Sequence, residues 1–344
     1  SVVQDASRLA DTFRSLDDLL GTVRQEVRLN IGYDVSDANQ ALRDIARVNA
    51  DIARLPPGSM GAAELGDDLG RLVDQVASFM DVQTVQGRGG QVSVYTASGS
   101  ALVEDGRVNA LAFNPGSGAL TAGGVDITPG RSGARGFSQG SLAGLMELNS
   151  AILPQFQLQL DEGARMLVEG FQTADATVAP GATGLFTDAG APFDPAALTG
   201  LAGRIAVNAA VDPQAGGEPR RLRDGVQAAT PRPAGDPGQI EDFLAVFAAP
   251  QTVAAGAGLG SGLTLTGFAE NLVARQQTTR ADAAARFDAV SVSAESVGAA
   301  RRNSQGVNTD EELQELILIE QSYAANAKMM TTVSQMLDTL MAAF

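Results

Sequence analysis

The sequence predicts a mainly α fold: an elongated helical bundle with long coiled-coil-like helices, a small β-hairpin region and an irregular Pro/Gly-rich insertion. Three observations carry this expectation. Leu9, Phe13, Leu16, Leu20, Val23 and Val27 alternate spacings of four and three, a heptad seam near the start of the chain. Residues 309–344 contain no Gly or Pro and repeat apolar side chains every seven positions. Nine of the 14 prolines fall between Pro180 and Pro250, in a stretch with few periodic runs.

Taken in order, the first helix is expected over residues 1–32, broken at Gly32-Tyr33. A second follows over 36–55, with Leu42, Ile45, Ile52 and Leu55 on one face and Pro56-Pro57-Gly58 as its stop. A third runs from about Leu65 to Met80 with Leu65, Leu69, Leu72, Val76 and Phe79 on its inner face, and short breaks let the three form an antiparallel bundle. The period then changes. Val82–Val85 and Gln91–Thr96 flank Gly87-Arg88-Gly89-Gly90 as a hairpin, and Ala101–Glu104 and Asn109–Phe113 continue a strand-and-turn texture to about residue 128. Met146, Leu153, Leu160 and Leu167 define a fourth helical segment over 141–173, in which Pro154 should introduce a kink or a new start.

Residues 174–262 read as an irregular, surface-lying excursion with one short strand at Ile205 and Val207 and a short helix at Ile240–Phe247. A fifth helix at about 267–304, within a segment 263–305 returning to the helical domain, has a small-residue face (Leu272, Ala283, Phe287, Val290, Ala294, Val297) suited to close packing. The expected organisation is therefore a helical domain, 1–173, with a small β region at 82–128; an insertion, 174–262; the returning helix, 263–305; and a terminal assembly helix, 306–344.

That last helix carries the candidate site. Thr309 and Glu312 have the spacing of a capping box, which would satisfy orphan backbone donors at the helix start. Leu313, Leu316, Ile319, Tyr323, Met330, Val333, Leu337, Leu340 and Phe344 form its apolar seam, interrupted by Asn326. Burying each large apolar side chain is worth about 1.5–3 kcal/mol, whereas an isolated helix is marginal in water. The seam therefore needs a partner, in this chain or in another.

Composition narrows the function classes. The chain has 344 residues, a formal net charge of −16, and no Cys, His or Trp. Without Cys there are no disulfides or thiolate chemistry, and without His there is no Ser-His-Asp triad or histidine metal ligand. The acidic balance disfavours nucleic acid and anionic membranes, and no apolar run approaches a membrane span. No cleavable signal peptide is visible. Gly256–Gly262 lacks phosphate-loop spacing and is expected to be a flexible hinge. Arg220-Arg221-Leu222-Arg223 reads as a solvated loop, and Asp5 and Asp11 lack EF-hand spacing. No cofactor or metal is expected, and no catalytic constellation assembles.

The segments Gly306-Val307-Asn308-Thr309-Asp310-Glu311-Glu312-Leu313, Gln321-Ser322-Tyr323-Ala324-Ala325-Asn326-Ala327-Lys328 and Met336-Leu337-Asp338-Thr339-Leu340 resemble the C-terminal signature of bacterial flagellar axial proteins. Further segments, in order, are similar to the family of hook-associated proteins at the hook–filament junction: Asn39 to Leu55, Asp67 to Gln75, Ser100 to Glu104, Gly140 to Leu145, Ile205 to Asn208 and Leu222 to Gly225. The resemblance implies a structural protein that forms a ring of subunits between hook and filament, with self and neighbouring axial proteins as partners. It also implies type III export to the cell exterior, a dedicated chaperone on the terminal helix, and an upstream segment, absent from this sequence, that pairs with that helix. The rivals are another axial component (hook or rod) and a soluble helical binding or adaptor module.

Overall fold

The computed structural model describes residues 2–305 and 309–341, and describes side chains for all of these except 88, 302–312, 326, 327 and 332–341. The chain divides into two units, Ser1–Val273 and Ala274–Phe344. The first holds the cores.

Its spine is one 51-residue helix, α1 (Val2–Ile52). The break expected at Gly32-Tyr33 does not occur. A helical glycine costs about 1 kcal/mol relative to alanine, but Ile31 and Val35 on either side are both buried, and each contributes about 1.5–3 kcal/mol. The helix therefore runs through. It stops before Pro56-Pro57, because the residue before proline disfavours the α region. Gly58 then turns the chain at φ 77°, and the Ser59 hydroxyl caps α2 (Met60–Phe79) by accepting from the Ala62 N–H at 3.3 Å. The third expected helix thus starts five residues earlier than its apolar face suggests. Leu69 and Val76 of α2 enter a core with Ile31, Leu42, Ile45 and Ile52 of α1.

Two antiparallel meanders complete this core. β1 (Val82–Gln86), β2 (Val92–Thr96), β3 (Ala101–Glu104) and β4 (Arg107–Val108) form one sheet in sequence order, and β5 (Leu111–Asn114), β6 (Ala119–Ala122) and β7 (Val125–Asp126) form another. The expected hairpin closes with Gly87 N–H donating to Gln91 O at 2.8 Å. Asp105-Gly106 and Gly123-Gly124 make two-residue turns with positive φ at both positions, the backbone that matches strand twist.

Asn39 and Asn49 of α1 hold the sheets. The Asn49 amide donates to Val92 O at 2.7 Å and accepts from Val92 N–H at 2.8 Å. Asn39 does the same to Leu111, at 2.9 and 2.7 Å. Each side chain supplies the donor and acceptor that a neighbouring strand would otherwise provide, so the first residues of β2 and β5 are satisfied against a helix.

α3 (Ser141–Glu147) begins at Gly140, whose φ of 97° and tight fit admit no side chain: a Cβ there would lie 2.4 Å from the Phe79 carbonyl carbon. A π-turn, Leu148–Ile152, joins α3 to α4 (Leu153–Thr173). Pro154 marks the new start expected of it, in the first turn of α4, where its missing N–H is not needed. Leu153 N–H bonds to Leu148 O, one residue further back than in an α-helix, and this wider turn accommodates the proline ring. Met146, Leu153, Leu160 and Leu167 are all buried as their spacing predicts.

Residues 174–262 are not a surface-lying excursion. They wrap α4 and the first turns of α1 around a second core that holds Leu160, Phe171, Phe186, Ile205 and Phe243. Phe171 meets Phe186 edge-on at 5.3 Å between centroids, and Phe243 and Phe247 at 5.3 and 5.8 Å. The elements are β8 (Phe186–Asp188) paired with β9 (Ile205–Val207), and helices α5 (Leu201–Arg204), α6 (Arg221–Asp224) and α7 (Gly238–Ala248). Most are too short to show a period, which is why the segment reads as irregular. The expected strand and helix are β9 and α7.

Polar groups of α4 pin this wrap. Asp161 accepts from the Gly200 and Ala202 N–H groups at 2.8 and 2.9 Å, Gln159 donates to Ala257 O at 2.8 Å, and Arg165 bridges Glu162 and the Thr252 carbonyl. Gly256–Gly262 is consequently not a hinge: Ala257 and Leu259 are buried in a third cluster with Met166 and Phe268. Burial raises the Asp161 pKa, opposed by the two N–H groups. The Arg165 guanidinium is held above its usual range by Glu162 and Glu169, against the effect of its own burial. Asp224 goes the other way from Asp161. Hydrogen bonds from the Arg223 guanidinium, and from the Arg232 N–H, hold it below the ordinary carboxylate value.

Two outcomes follow. Asn49→Ala strands both Val92 groups and lowers stability by about 1–3 kcal/mol, and Asn49→Asp, which cannot donate to Val92 O, does not restore it; urea unfolding reads both. Asp224, with its lowered pKa, contributes stability above about pH 3.9 that is lost as pH falls through its folded value. The advantage of wild type over Asp224→Asn in urea midpoint is therefore largest near pH 7 and shrinks below about pH 4, whereas the raised pKa of Asp161 favours the folded state in acid.

Candidate assembly surface

The second unit contains most of α8 (Leu265–Gln305) and all of α9 (Thr309–Met341). The first turns of α8 belong to the first unit, with Phe268 buried against Met166 and Val253. Beyond Val273 its expected packing face is open to solvent: Phe287 is 73% exposed, and Val290 and Val297 are exposed with it.

α9 is described from Thr309 onward, and residues 306–308 before it lie outside the described residues. The side chains of Thr309 and Glu312 lie outside the described residues, as do those of Val333, Leu337 and Leu340, whose backbone is helical, and Phe344 altogether. Among the described seam residues, Leu313, Leu316, Ile319, Tyr323 and Met330 are all exposed. They share one helix.

The heptad reading missed part of this surface. Ile317 and Leu318 fall outside the seam, yet they are exposed, like Leu316 and Ile319. Successive helical residues lie about 100° apart, so residues 316–319 turn apolar side chains around most of the circumference. A single seam serves one neighbour. An all-round apolar turn is the mark of a helix that is surrounded. Glu315 and Glu320 bracket the turn, and Met329 adds a further exposed apolar side chain. The signal, four consecutive apolar residues, was present in the sequence; a seven-residue template samples only two of them.

The first unit has an apolar surface of its own. Leu9 and Leu16, two of the six seam residues expected on α1, remain open, whereas Val27 is buried and Phe13, Leu20 and Val23 are half-buried. Leu9 lines a cavity of about 450 Å³ together with Ile240, Leu244 and Phe247 of α7. Among the described residues no group of three or more Asp, Glu, His or Cys side chains could hold a metal ion, and no helix is long and apolar enough to cross a membrane. The Arg220–Arg223 run is drawn into local pairs with Glu218 and Asp224.

Residues 1–184 match the family model described as the flagellar hook-associated protein FlgK helical domain, more than half of the chain. The chain belongs to the FlgK family. Residues 303–343 match the model described as the flagellar basal body rod FlgEFG protein C-terminal region, which contains all of α9. The flagellar hook-associated protein 1 of Escherichia coli K12 is 26% identical over 180 residues, covering 50% of this chain and 33% of that protein. Its counterpart in Salmonella typhimurium is 26% identical over 183 residues, covering 50% and 32%. The solved flagellar hook junction protein FlgK from Burkholderia pseudomallei is 24% identical, with a TM-score of 0.41 over 54% of this chain and 35% of that one. The matched part of this chain thus spans about a third of the length of its curated FlgK relatives.

If α9 is unpartnered in the free chain, Leu316→Gln leaves its unfolding free energy within about 0.5 kcal/mol of wild type, as for a surface substitution. A seam packed inside the same chain would instead lose about 2–5 kcal/mol on truncation of Leu316 to Ala. Urea unfolding of dilute protein distinguishes the two.

Proposed function

We propose that the chain is a structural component of the bacterial flagellum that joins hook to filament through helix-mediated self-assembly. One observation carries the reading: in a member of the FlgK family, the α9 turn Leu316–Ile319 is apolar on nearly every side and exposed. Exposed apolar patches of this kind mark interaction surfaces, and a turn of this geometry is covered only when several helices surround it. The nine-residue seam, from Leu313 to Phe344, is the proposed assembly surface, with Thr309 and Glu312 as its cap. Self and neighbouring axial proteins, namely hook protein and the other hook-associated proteins, are the proposed partners.

The same physics requires cover before assembly, since an apolar helix in free solution aggregates. An export chaperone on α9 meets that need. The reading places the protein outside the cell, exported without a cleaved signal, and assigns it no enzymatic activity, cofactor, nucleic-acid contact or membrane insertion. The absence of His and Cys supports a non-catalytic role.

The test is made in the source bacterium. Antibody to residues 174–262, used for immunogold labelling, marks a narrow band between hook and filament. Leu316→Gln with Ile319→Gln, at normal exported levels, yields hooks without filaments. Label along the whole hook or rod assigns another axial role, and normal filaments on the double variant would remove α9 from assembly.

A further inference from the structure

A second kind of site lies in the first unit, where α1 passes the π-turn. A cavity of about 450 Å³ is lined by Arg28, Ser117, Thr128, Arg131, Asn149 and Ser150. Its lining is polar, in contrast to the apolar cavities at Leu9, and holds no Asp or Glu, in contrast to the larger cavity at Arg165, which Glu169 and Asp242 line. Several of these groups are already satisfied. Thr128 Oγ1 bonds to Leu120 N–H and C=O, Ser150 Oγ donates to Met146 O, and Arg131 is paired with Asp126 at 3.0 Å and donates to Ser117 O at 3.3 Å.

Arg28 and Asn149 are not. Arg28 Nε donates to Asn149 Oδ1 at 3.3 Å. Its two terminal nitrogens make no ion pair or hydrogen bond among the described residues, although acidic residues outnumber basic ones 40 to 24 in this chain. Asn149 is 91% buried, the complement of its 9% exposure. Its Oδ1 is taken by Arg28, while Nδ2 has no acceptor among the described residues and faces Gly118 on the cavity wall. Asn149 and Ser150 belong to the π-turn Leu148–Ile152. That widened turn accommodates Pro154 and also sets Asn149 against the cavity, and π-turns recur at functional sites.

The arrangement is a fork of cationic donors beside one buried amide donor, with no acceptor to meet them. Guanidinium groups bind carboxylate and phosphate oxygens in this way, often through two parallel bonds. Because Asp126 offsets the charge of Arg131, Arg28 supplies the unneutralised charge. We propose that this cavity is an oxyanion site in which Arg28 and Asn149 hold a carboxylate or phosphoryl group. The site is independent of the α9 surface and of the flagellar reading.

The experiment is calorimetric titration of the full chain with glutarate and, separately, with inorganic phosphate, at ionic strength held constant with sodium chloride. At least one probe binds saturably. Glutarate alone assigns the site to carboxyl groups, phosphate alone to phosphoryl groups, and both together to oxyanions at large. Arg28→Gln, an exposed position, weakens that binding at least about tenfold, the loss of a hydrogen bond to a charged group, and Asn149→Asp abolishes it by placing a negative charge at the amide. Arg24→Gln removes the same charge one turn away and leaves binding intact. Absence of saturable binding to either probe, unchanged binding in Arg28→Gln and Asn149→Asp, or equal weakening in Arg24→Gln would each overturn the proposal.

Discussion

Burial of Ile31 and Val35 on either side of Gly32 is the constraint on which the rest of the first unit depends. It keeps α1 a single helix, and that helix serves two cores. From Val27 onward it packs with α2 and the two meanders. Its first turns contribute Ala10 to the core built on α4. A break at Gly32 would leave these as two bodies joined by a hinge. Instead the cost of one helical glycine, about 1 kcal/mol, is outweighed by the burial it permits. The same rod fixes both sheets, since Asn39 and Asn49 lie ten residues apart on it and each engages the first residue of a strand.

α4 organises the remainder through polar contacts. The segment after residue 173 is rich in proline and glycine and made of short elements. Such a segment cannot hold itself by periodic burial. Asp161, Gln159, Glu162 and Arg165 meet its backbone groups at defined points along one helix. Phe171 then gathers Phe186, Phe243 and Phe247 around its ring. Burial makes the polar pins costly, as the raised pKa of Asp161 indicates, but an unmet N–H in the same place would cost as much or more. The order of the wrap is thus set by hydrogen-bond satisfaction, and its stability by aromatic and aliphatic burial.

Beyond Val273 the balance reverses. α8 and α9 display Phe287, Val290, Leu316, Ile319 and Tyr323 to solvent. The first unit builds three apolar cores, whereas the second exposes apolar side chains along α8 and α9. The strongly acidic composition, −16 overall, keeps such a surface from indiscriminate collapse by mutual repulsion. A helix apolar on several sides is covered only where neighbours meet it on several sides.

The sequence by itself determined the helical class, the seam Met146–Leu153–Leu160–Leu167, the hairpin at Gly87–Gly90 and the family. These are local: each is a period or a turn that a short window contains, and the residues that carry the family resemblance include pins such as Asn39, Gly140 and Asn208, whose roles are visible only in space. Tertiary structure alone decided that α1 runs through Gly32, that Pro154 sits behind a π-turn, that residues 174–262 have a core, and that Gly256–Gly262 is docked. In each case a distant group outweighs a local preference, and no window of sequence includes that group. The assembly surface divides in the same way. The apolar run Leu316–Ile319 was legible in the sequence, whereas the exposure of its side chains is a property of the structure alone.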